Sequence, residues 1–199
     1  MKVTFSEIAF LNPISNSPPG RVLWFTGLSA AGKTTLSAAL CTHLRSLGYQ
    51  VEHLDGDVVR RGMCSDLGFS REDRHENVRR ITRAAAEMVH RGVIVLVSAM
   101  SPYRDARAEA RSRIPEFTEI YVNAPVEACE RRDTKGLYQR ARMGKVSDVP
   151  GVDSPYEPPL DAEVECHTDR ETVEESLAKV MRYLTPLLEP ARAVGQSES

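Results

Sequence analysis

Nine consecutive residues, Gly27, Leu28, Ser29, Ala30, Ala31, Gly32, Lys33, Thr34 and Thr35, carry the pattern glycine, four residues, glycine, lysine, threonine. Glycines allow a tight turn and bring the backbone close to a ligand with no Cβ in the way. The N–H groups of such a loop, with the N-terminus of a following helix, attract phosphate oxygens. Lys33 supplies a mobile cation for the outer phosphates, and the Thr34 hydroxyl can ligate Mg²⁺. The pattern has this meaning only between a strand and a helix. Residues 22–25, VLWF, are an apolar, β-prone run before it; Leu36, Leu40, Leu44 and Leu47 recur at helical spacing over 35–48 after it. The stretch is therefore expected to bind a nucleoside triphosphate, and the open question is the acceptor.

A second constellation bears on the acceptor. Asp55 and Asp57, separated by Gly56, follow a strand candidate at 50–54, where a carboxylate could orient or deprotonate a hydroxyl. No Asn-Lys-x-Asp segment of the guanine-reading type occurs, and the most apolar strand candidate, 93–97, runs into Ser98 rather than a carboxylate. Both observations favour a small-molecule kinase over a hydrolase. Arg60, Arg74, Arg79, Arg80, Lys135, Arg140 and Arg142 follow strand ends or sit in an irregular segment, and Phe69 stands in an otherwise polar turn. A charge run is most often a solvated helix face. Together with an aromatic residue and a closing segment, arginines can instead stack a base and grip phosphate or sulfate.

The elements that must position these residues alternate along the chain. Strand candidates lie at 22–25, 50–54, 93–97, 118–123 and 164–166, and helices are expected at 35–48, 70–92, 102–113, 125–133 and 171–188. Ser70 is placed to cap the second helix, whose apolar stripe is Val78, Ile81, Ala85, Met88 and Val89. The last helix shows Val173, Leu177, Val180, Met181, Leu184 and Leu188 on one side. Such alternation predicts an α/β fold: a three-layer parallel sheet with helices on both faces, binding ligands beyond the carboxyl ends of the strands. Residues 21–190 form the expected kinase domain. Residues 1–20 read as an arm and linker, and 191–199 as a flexible tail. Residues 133–163, basic and helical at first and then rich in Pro, Gly and Asp, read as a lid that excludes water.

Composition narrows the partners. The 199 residues are 41% hydrophobic and 27% charged, with a formal net charge of −2, which argues against nucleic acid or an anionic membrane as a partner. Cys41, Cys64, Cys129 and Cys166 show no CxxC pairing and read as buried thiols. The N-terminal stretch lacks the apolar run and cleavage site of a secretory signal, and residues 93–100 are too short to span a bilayer, so a cytoplasmic protein is expected.

Further runs carry a specific resemblance. LDGDVVR at 54–60, LGFSREDRHENVRR at 67–80, VIVLVSAMSPYRDAR at 93–107, CERRDTKGLYQRAR at 129–142 and DSPYEPP at 153–159 follow the phosphate loop in order. With that loop they make the chain resemble the adenylylsulfate kinases. That family transfers the γ-phosphate of ATP to the 3′-hydroxyl of adenosine 5′-phosphosulfate, giving PAPS and ADP. The resemblance implies that Gly27 to Thr35 hold the ATP phosphates, with Mg²⁺ on Thr34 and Asp55. It implies that Asp57 acts at the 3′-hydroxyl, and that Arg60, Phe69, Arg74, Asn77, Met100, Ser101 and Lys135 line the adenylylsulfate site. It places the ATP base near the lid arginines and residues 167–171, and it implies a homodimer. Ser101 has two readings: a phosphoryl carrier, which needs an adjacent base, or a cap of the helix after Pro102.

The chain departs from the family pattern in places. Val58 stands where asparagine is common and Ala30 where glycine is frequent. Val149 replaces a phenylalanine that packs on the substrate adenine, which reduces stacking surface. That loss keeps two other functions open: a 3′-hydroxyl kinase for another activated nucleotide, such as a cytidine diphosphate derivative, and a non-catalytic nucleotide-binding regulator.

Overall fold

The computed structural model describes residues 19–188. The expected tail and almost all of the expected arm lie outside them. Five strands make one parallel sheet in the order β2-β3-β1-β4-β5. They are β1 (Arg21–Thr26), β2 (Val51–Asp55), β3 (Ile94–Ser98), β4 (Phe117–Asn123) and β5 (Val164–His167). β1 is central because it pairs on both edges, Leu23 lying opposite Leu96 of β3 and Thr118 of β4. Its side chains alternate between two cores. Leu23 and Phe25 pack with Leu36, Leu40 and Leu44 of α1 (Lys33–Ser46) and with Val180, Leu184 and Leu188 of α7 (Val173–Leu188). Val22 and Trp24 pack with Val78, Ile81 and Ala85 of α3 (Arg71–Val89) and with Ala106 and Ala110 of α4 (Arg104–Arg113). This is the expected three-layer α/β arrangement. All four cysteines are buried. Among the described residues no helix is long and apolar enough to cross a membrane.

Local chemistry explains most boundaries. Ser70 caps α3 as expected, its hydroxyl accepting the Asp73 N–H at 3.1 Å. One helix was not anticipated: α2 (Gly56–Arg61), immediately after β2. Its residues include Gly56 and β-branched Val58 and Val59, poor helix formers, but the Asp55 carboxylate caps it by accepting the N–H groups of Asp57 and Val58 at 2.9 and 3.4 Å. α4 begins later than expected, with Tyr103 at its cap and no side-chain cap bond, so Ser101 does not cap it. Val173 is exposed and joins the wall of the site rather than the stripe that packs α7 on the sheet.

The 133–163 segment packs on the body of the domain. After α5 (Val126–Arg131), the Asp133 carboxylate accepts three successive N–H groups at the start of α6 (Leu137–Arg142). Tyr138 is buried, and its hydroxyl donates to the Ser29 carbonyl at 3.0 Å, fastening α6 to the phosphate loop. Further on, the Tyr156 hydroxyl lies 3.0 Å from Thr26 Oγ1, and the Arg107 guanidinium donates to the Glu157 carbonyl at 2.8 Å. The proline-rich half is thus a strap across the ends of the central strands.

Candidate active site

The carboxyl ends of the strands, with α2, α3, the 133–150 segment and the start of α7, enclose one cleft of about 1320 Å³. A typical single small-ligand pocket is ~300–1,000 Å³, so the cleft has room for two substrates.

The phosphate loop forms one wall. Gly27 adopts a φ of +152°, and a Cβ there would sit 2.3 Å from the Val122 carbonyl oxygen, so only glycine fits between β1 and β4. Gly32, at φ +101°, stands at the head of α1. Ala30 holds a φ of +57° without being glycine, a strain of ~1 kcal/mol that the residue common in the family pattern avoids. Ser29, Ala30, Gly32, Lys33, Thr34 and Thr35 line the cleft, while Gly27, Leu28 and Ala31 lie behind that wall. Lys33 Nζ donates to the carbonyls of Gly27 and Leu28 at 3.0 and 2.6 Å. Burial pulls its ammonium down from the ordinary lysine range to about 8, despite Cys129 and Asp57 nearby.

That value gives a prediction for triphosphate binding. A bound polyphosphate favours the charged lysine and raises its pKa, so binding takes up a proton when the free lysine is partly neutral. The affinity should be flat below about pH 8 and fall as pH rises above it, by up to about tenfold per unit. Titration calorimetry in two buffers of different ionisation enthalpy at pH 8 should detect that uptake, and Lys33→Met should abolish it.

Asp55 and Thr34 form the next feature. Asp55 Oδ2 accepts the Thr34 hydroxyl at 2.8 Å. Burial pushes the Asp55 carboxyl up, but the Thr34 hydroxyl and the N–H groups of Asp57 and Val58 outweigh it and hold it below the usual range. Two oxygen donors of this kind suit a hard divalent cation. Asp57, in the first turn of α2, points its carboxylate to the ammonium of Lys135 from the 133–163 segment, forming an ion pair at the cleft.

At the other end of α2, Arg60 lies 4.8 Å from the Phe69 ring centroid and donates to the carbonyls of Leu67 and Gly68. Phe69 is 59% exposed yet lines the cleft. Arg74 donates to the Phe69 carbonyl at 2.9 Å and the Asp148 carbonyl at 2.5 Å, joining α3 to the 133–163 segment. Asn77 is buried in the same wall, and its Oδ1 has no partner among the described residues, an acceptor left for a ligand. Met100 and Val149 complete this wall. Val149 is 3% exposed and packs largely into the core, with little surface to offer a base.

Two expectations need correction. Ser101 does not line the cleft: its Oγ is sealed below the strand ends, accepting Trp24 Nε1–H at 3.0 Å and donating to Thr26 Oγ1 at 3.2 Å. Of the seven flagged cations, Arg60, Arg74, Lys135 and Arg140 reach the cleft. Arg79 is paired with Glu109 and Glu76, Arg80 with Asp66 and Glu76, and Arg142 with Glu130, and none of these three lines it. The sequence reading missed Arg61 and Arg132, which do line it. Arg61 follows Asp57 by one helical turn, a spacing visible in the sequence only once α2 is known. Arg132 Nη2 donates to the Thr168 carbonyl at 2.6 Å, and Thr168 Oγ1 donates to the Ala31 carbonyl at 2.7 Å, drawing the loop after β5 onto the phosphate loop.

A phosphate loop at the end of the central strand β1, a carboxylate pair at and just after the end of β2, one strand beyond β3, and a cation-rich 133–150 segment over the same cleft define a P-loop small-molecule kinase. The comparisons narrow the class. The family model described as Adenylylsulphate kinase matches residues 19–167, and the chain belongs to that family. It is 57% identical to the adenylyl-sulfate kinase of Picosynechococcus sp. over 168 residues, 84% of this chain and 95% of that one. It is 55% identical to the adenylyl-sulfate kinase of Microcystis aeruginosa, over 84% and 93% of the two chains. The solved APS kinase of Mycobacterium tuberculosis, in complex with AMPPNP and APS, superposes with a TM-score of 0.81 at 38% identity, over 84% of this chain and 99% of that one.

Proposed function

We propose that this protein transfers the γ-phosphate of ATP to the 3′-hydroxyl of adenosine 5′-phosphosulfate, giving ADP and PAPS. The observation that carries the reading is the layout of α2. Asp57 stands at its phosphate-loop end, next to the Thr34–Asp55 pair, and Arg60 at its other end, against Phe69. A nucleophile held by the arginine–aromatic cluster therefore meets Asp57 on the side from which the triphosphate arrives.

The residues divide the work. The backbone of residues 27–35 and Lys33 hold the β- and γ-phosphates. Thr34 and Asp55 would hold Mg²⁺, which when bound neutralises charge on those phosphates and orients them. Asp57 accepts the hydrogen bond of the 3′-hydroxyl and takes its proton as the bond to phosphorus forms. Lys135, released from Asp57 by the substrates, balances charge on the moving phosphoryl group. Phe69 stacks the substrate adenine, Arg60 and Arg74 face its phosphosulfate, and Asn77 Oδ1 receives a donor from it. The ATP base lies between Arg132, Arg140 and the 168–173 loop. With Ser101 sealed off, transfer is direct and in line, with no covalent step.

Coupled ADP release with and without adenylylsulfate tests the activity. Adenylylsulfate-dependent release is expected. Release only with a cytidine diphosphate derivative, or none with any acceptor, would overturn the reading. The valine in the lid gives a second test. A phenylalanine at 149 is too large for the core site and must project into the cleft, so Val149→Phe should lower the adenylylsulfate KM by about fivefold, equivalent to ~1 kcal/mol of aromatic contact. An unchanged or higher KM would count against that stacking position.

A further inference from the structure

Behind the Thr34–Asp55 pair runs a closed ring of polar contacts. Asp55 and Ser98 are register partners at the ends of β2 and β3, and Ser98 Oγ donates to Asp55 Oδ2 at 3.3 Å. Ser98 Oγ also lies 2.9 Å from His53 Nε2. The same nitrogen lies 2.9 Å from Ser37 Oγ, and Ser37 Oγ donates to the Thr34 carbonyl at 3.2 Å. Thr34 Oγ1, donating to Asp55 Oδ2 at 2.8 Å, closes the ring. Both serines are buried, so their hydroxyls depend on these partners.

With both serines donating outwards, one assignment of protons satisfies the whole ring. Each serine hydroxyl has one proton. Ser98 gives its proton to a carboxylate, which only accepts, and Ser37 gives its proton to a carbonyl. Both serine oxygens are then acceptors towards the ring, so His53 carries its proton on Nε2 and shares it between them. His53 lies two residues before Asp55 on the same strand face, which is what allows one imidazole to reach Ser98 on the adjoining strand and Ser37 in the second turn of α1 together.

We propose that His53 is a positioning residue for the divalent-cation site: by orienting the Ser98 and Ser37 hydroxyls it holds the Asp55 carboxylate and the Thr34 hydroxyl in the arrangement that receives the metal of a metal–nucleotide complex. This rests on the reading of Thr34 and Asp55 as the metal-holding pair. An apolar side chain at 53 leaves both serine hydroxyls free to turn, and the ring opens on the side away from the cleft.

The test is the ratio of ADP affinity with Mn²⁺ to ADP affinity in EDTA, from calorimetry, with free Mn²⁺ counted by electron paramagnetic resonance. A merely structural histidine would change melting temperature and leave this ratio alone. Asp55→Asn should collapse the ratio. His53→Leu should lower it about five- to tenfold, with metal-free ADP affinity unchanged. Ser98→Ala should lower it equally, and the double variant no more than either single one. His53→Gln, which keeps an N–H donor within reach, should restore it to within about twofold of wild type. A wild-type ratio in His53→Leu while Asp55→Asn loses it sinks the role of His53 alone, as do additive losses in the double variant. A wild-type ratio in Asp55→Asn sinks the metal-holding pair and the inference with it. If His53→Leu does not fold, Ser98→Ala decides: a wild-type ratio there overturns the proposal.

Discussion

Asp57→Asn should lower kcat by about a thousandfold while leaving the dissociation constants of ATP and adenylylsulfate within about threefold of wild type. The magnitude lies inside the range of ~10²–10⁴ attributed to a positioned acid or base. The substitution keeps the shape of the side chain, so the loss falls on proton acceptance and on negative charge near the hydroxyl. It also removes the ion pair with Lys135, but both groups are well exposed. Exposed pairs contribute ~0–1 kcal/mol, so folding should be nearly unaffected. Steady-state kinetics with equilibrium binding of each nucleotide would check this. A kcat within tenfold of wild type would remove Asp57 from the chemistry, and a large loss of adenylylsulfate binding with normal kcat would make it a binding residue only.

Lys33→Met should act on function and stability in opposite directions. Losing the cation on the outer phosphates should reduce kcat/KM for ATP by about 10³-fold, the scale of removing one preorganised charged donor from a phosphoryl-transfer site. The unliganded protein should become more stable. The ammonium's folded pKa, about 8, lies below the ordinary value of 10.5, so at neutral pH the native state carries a buried charge at a cost. In wild type that cost is fully present below about pH 8 and is relieved as pH rises from there towards 10.5, since the unfolded chain binds more protons in that window. Methionine removes it, a gain of roughly 3 kcal/mol at pH 7, since the two values differ by about 2.5 and each pKa unit is ~1.4 kcal/mol. Chemical denaturation at pH 7, beside ATP kinetics, reads both effects. Lost activity with lost stability would mean that the lysine is a structural pillar of the loop, contrary to its environment.

What could be read from the sequence follows from how local the cause is. The phosphate loop, the buried strand expected at 93–97 and found at Ile94–Ser98, and the Ser70 cap rest on neighbouring residues, and each lies within one residue of where the pattern puts it. α2 was not legible because its first four residues, Gly56, Asp57, Val58 and Val59, are weak helix formers and its start is held by one cap at Asp55. The inward turn of Ser101 was hidden because it depends on Trp24 and Thr26, far away in sequence. The same distance separates Arg79 and Arg80, neutralised by Glu109 and Asp66, from Arg61 and Arg132, which reach the cleft. In composition these four arginines are indistinguishable; the carboxylates that tertiary structure brings to two of them decide which are free to bind a ligand. His53 is a similar case, an ordinary strand residue until β3 and α1 set a serine on each side of it.

The central claim concerns where the phosphoryl group lands. Phosphorus NMR of a reaction with the purified protein, ATP, Mg²⁺ and adenylylsulfate should show a new 3′-phosphomonoester resonance growing in step with ADP, with the phosphosulfate resonance retained. ADP accumulating with inorganic phosphate and no 3′-phosphomonoester would contradict a site in which Asp57 orients the ribose hydroxyl towards the triphosphate.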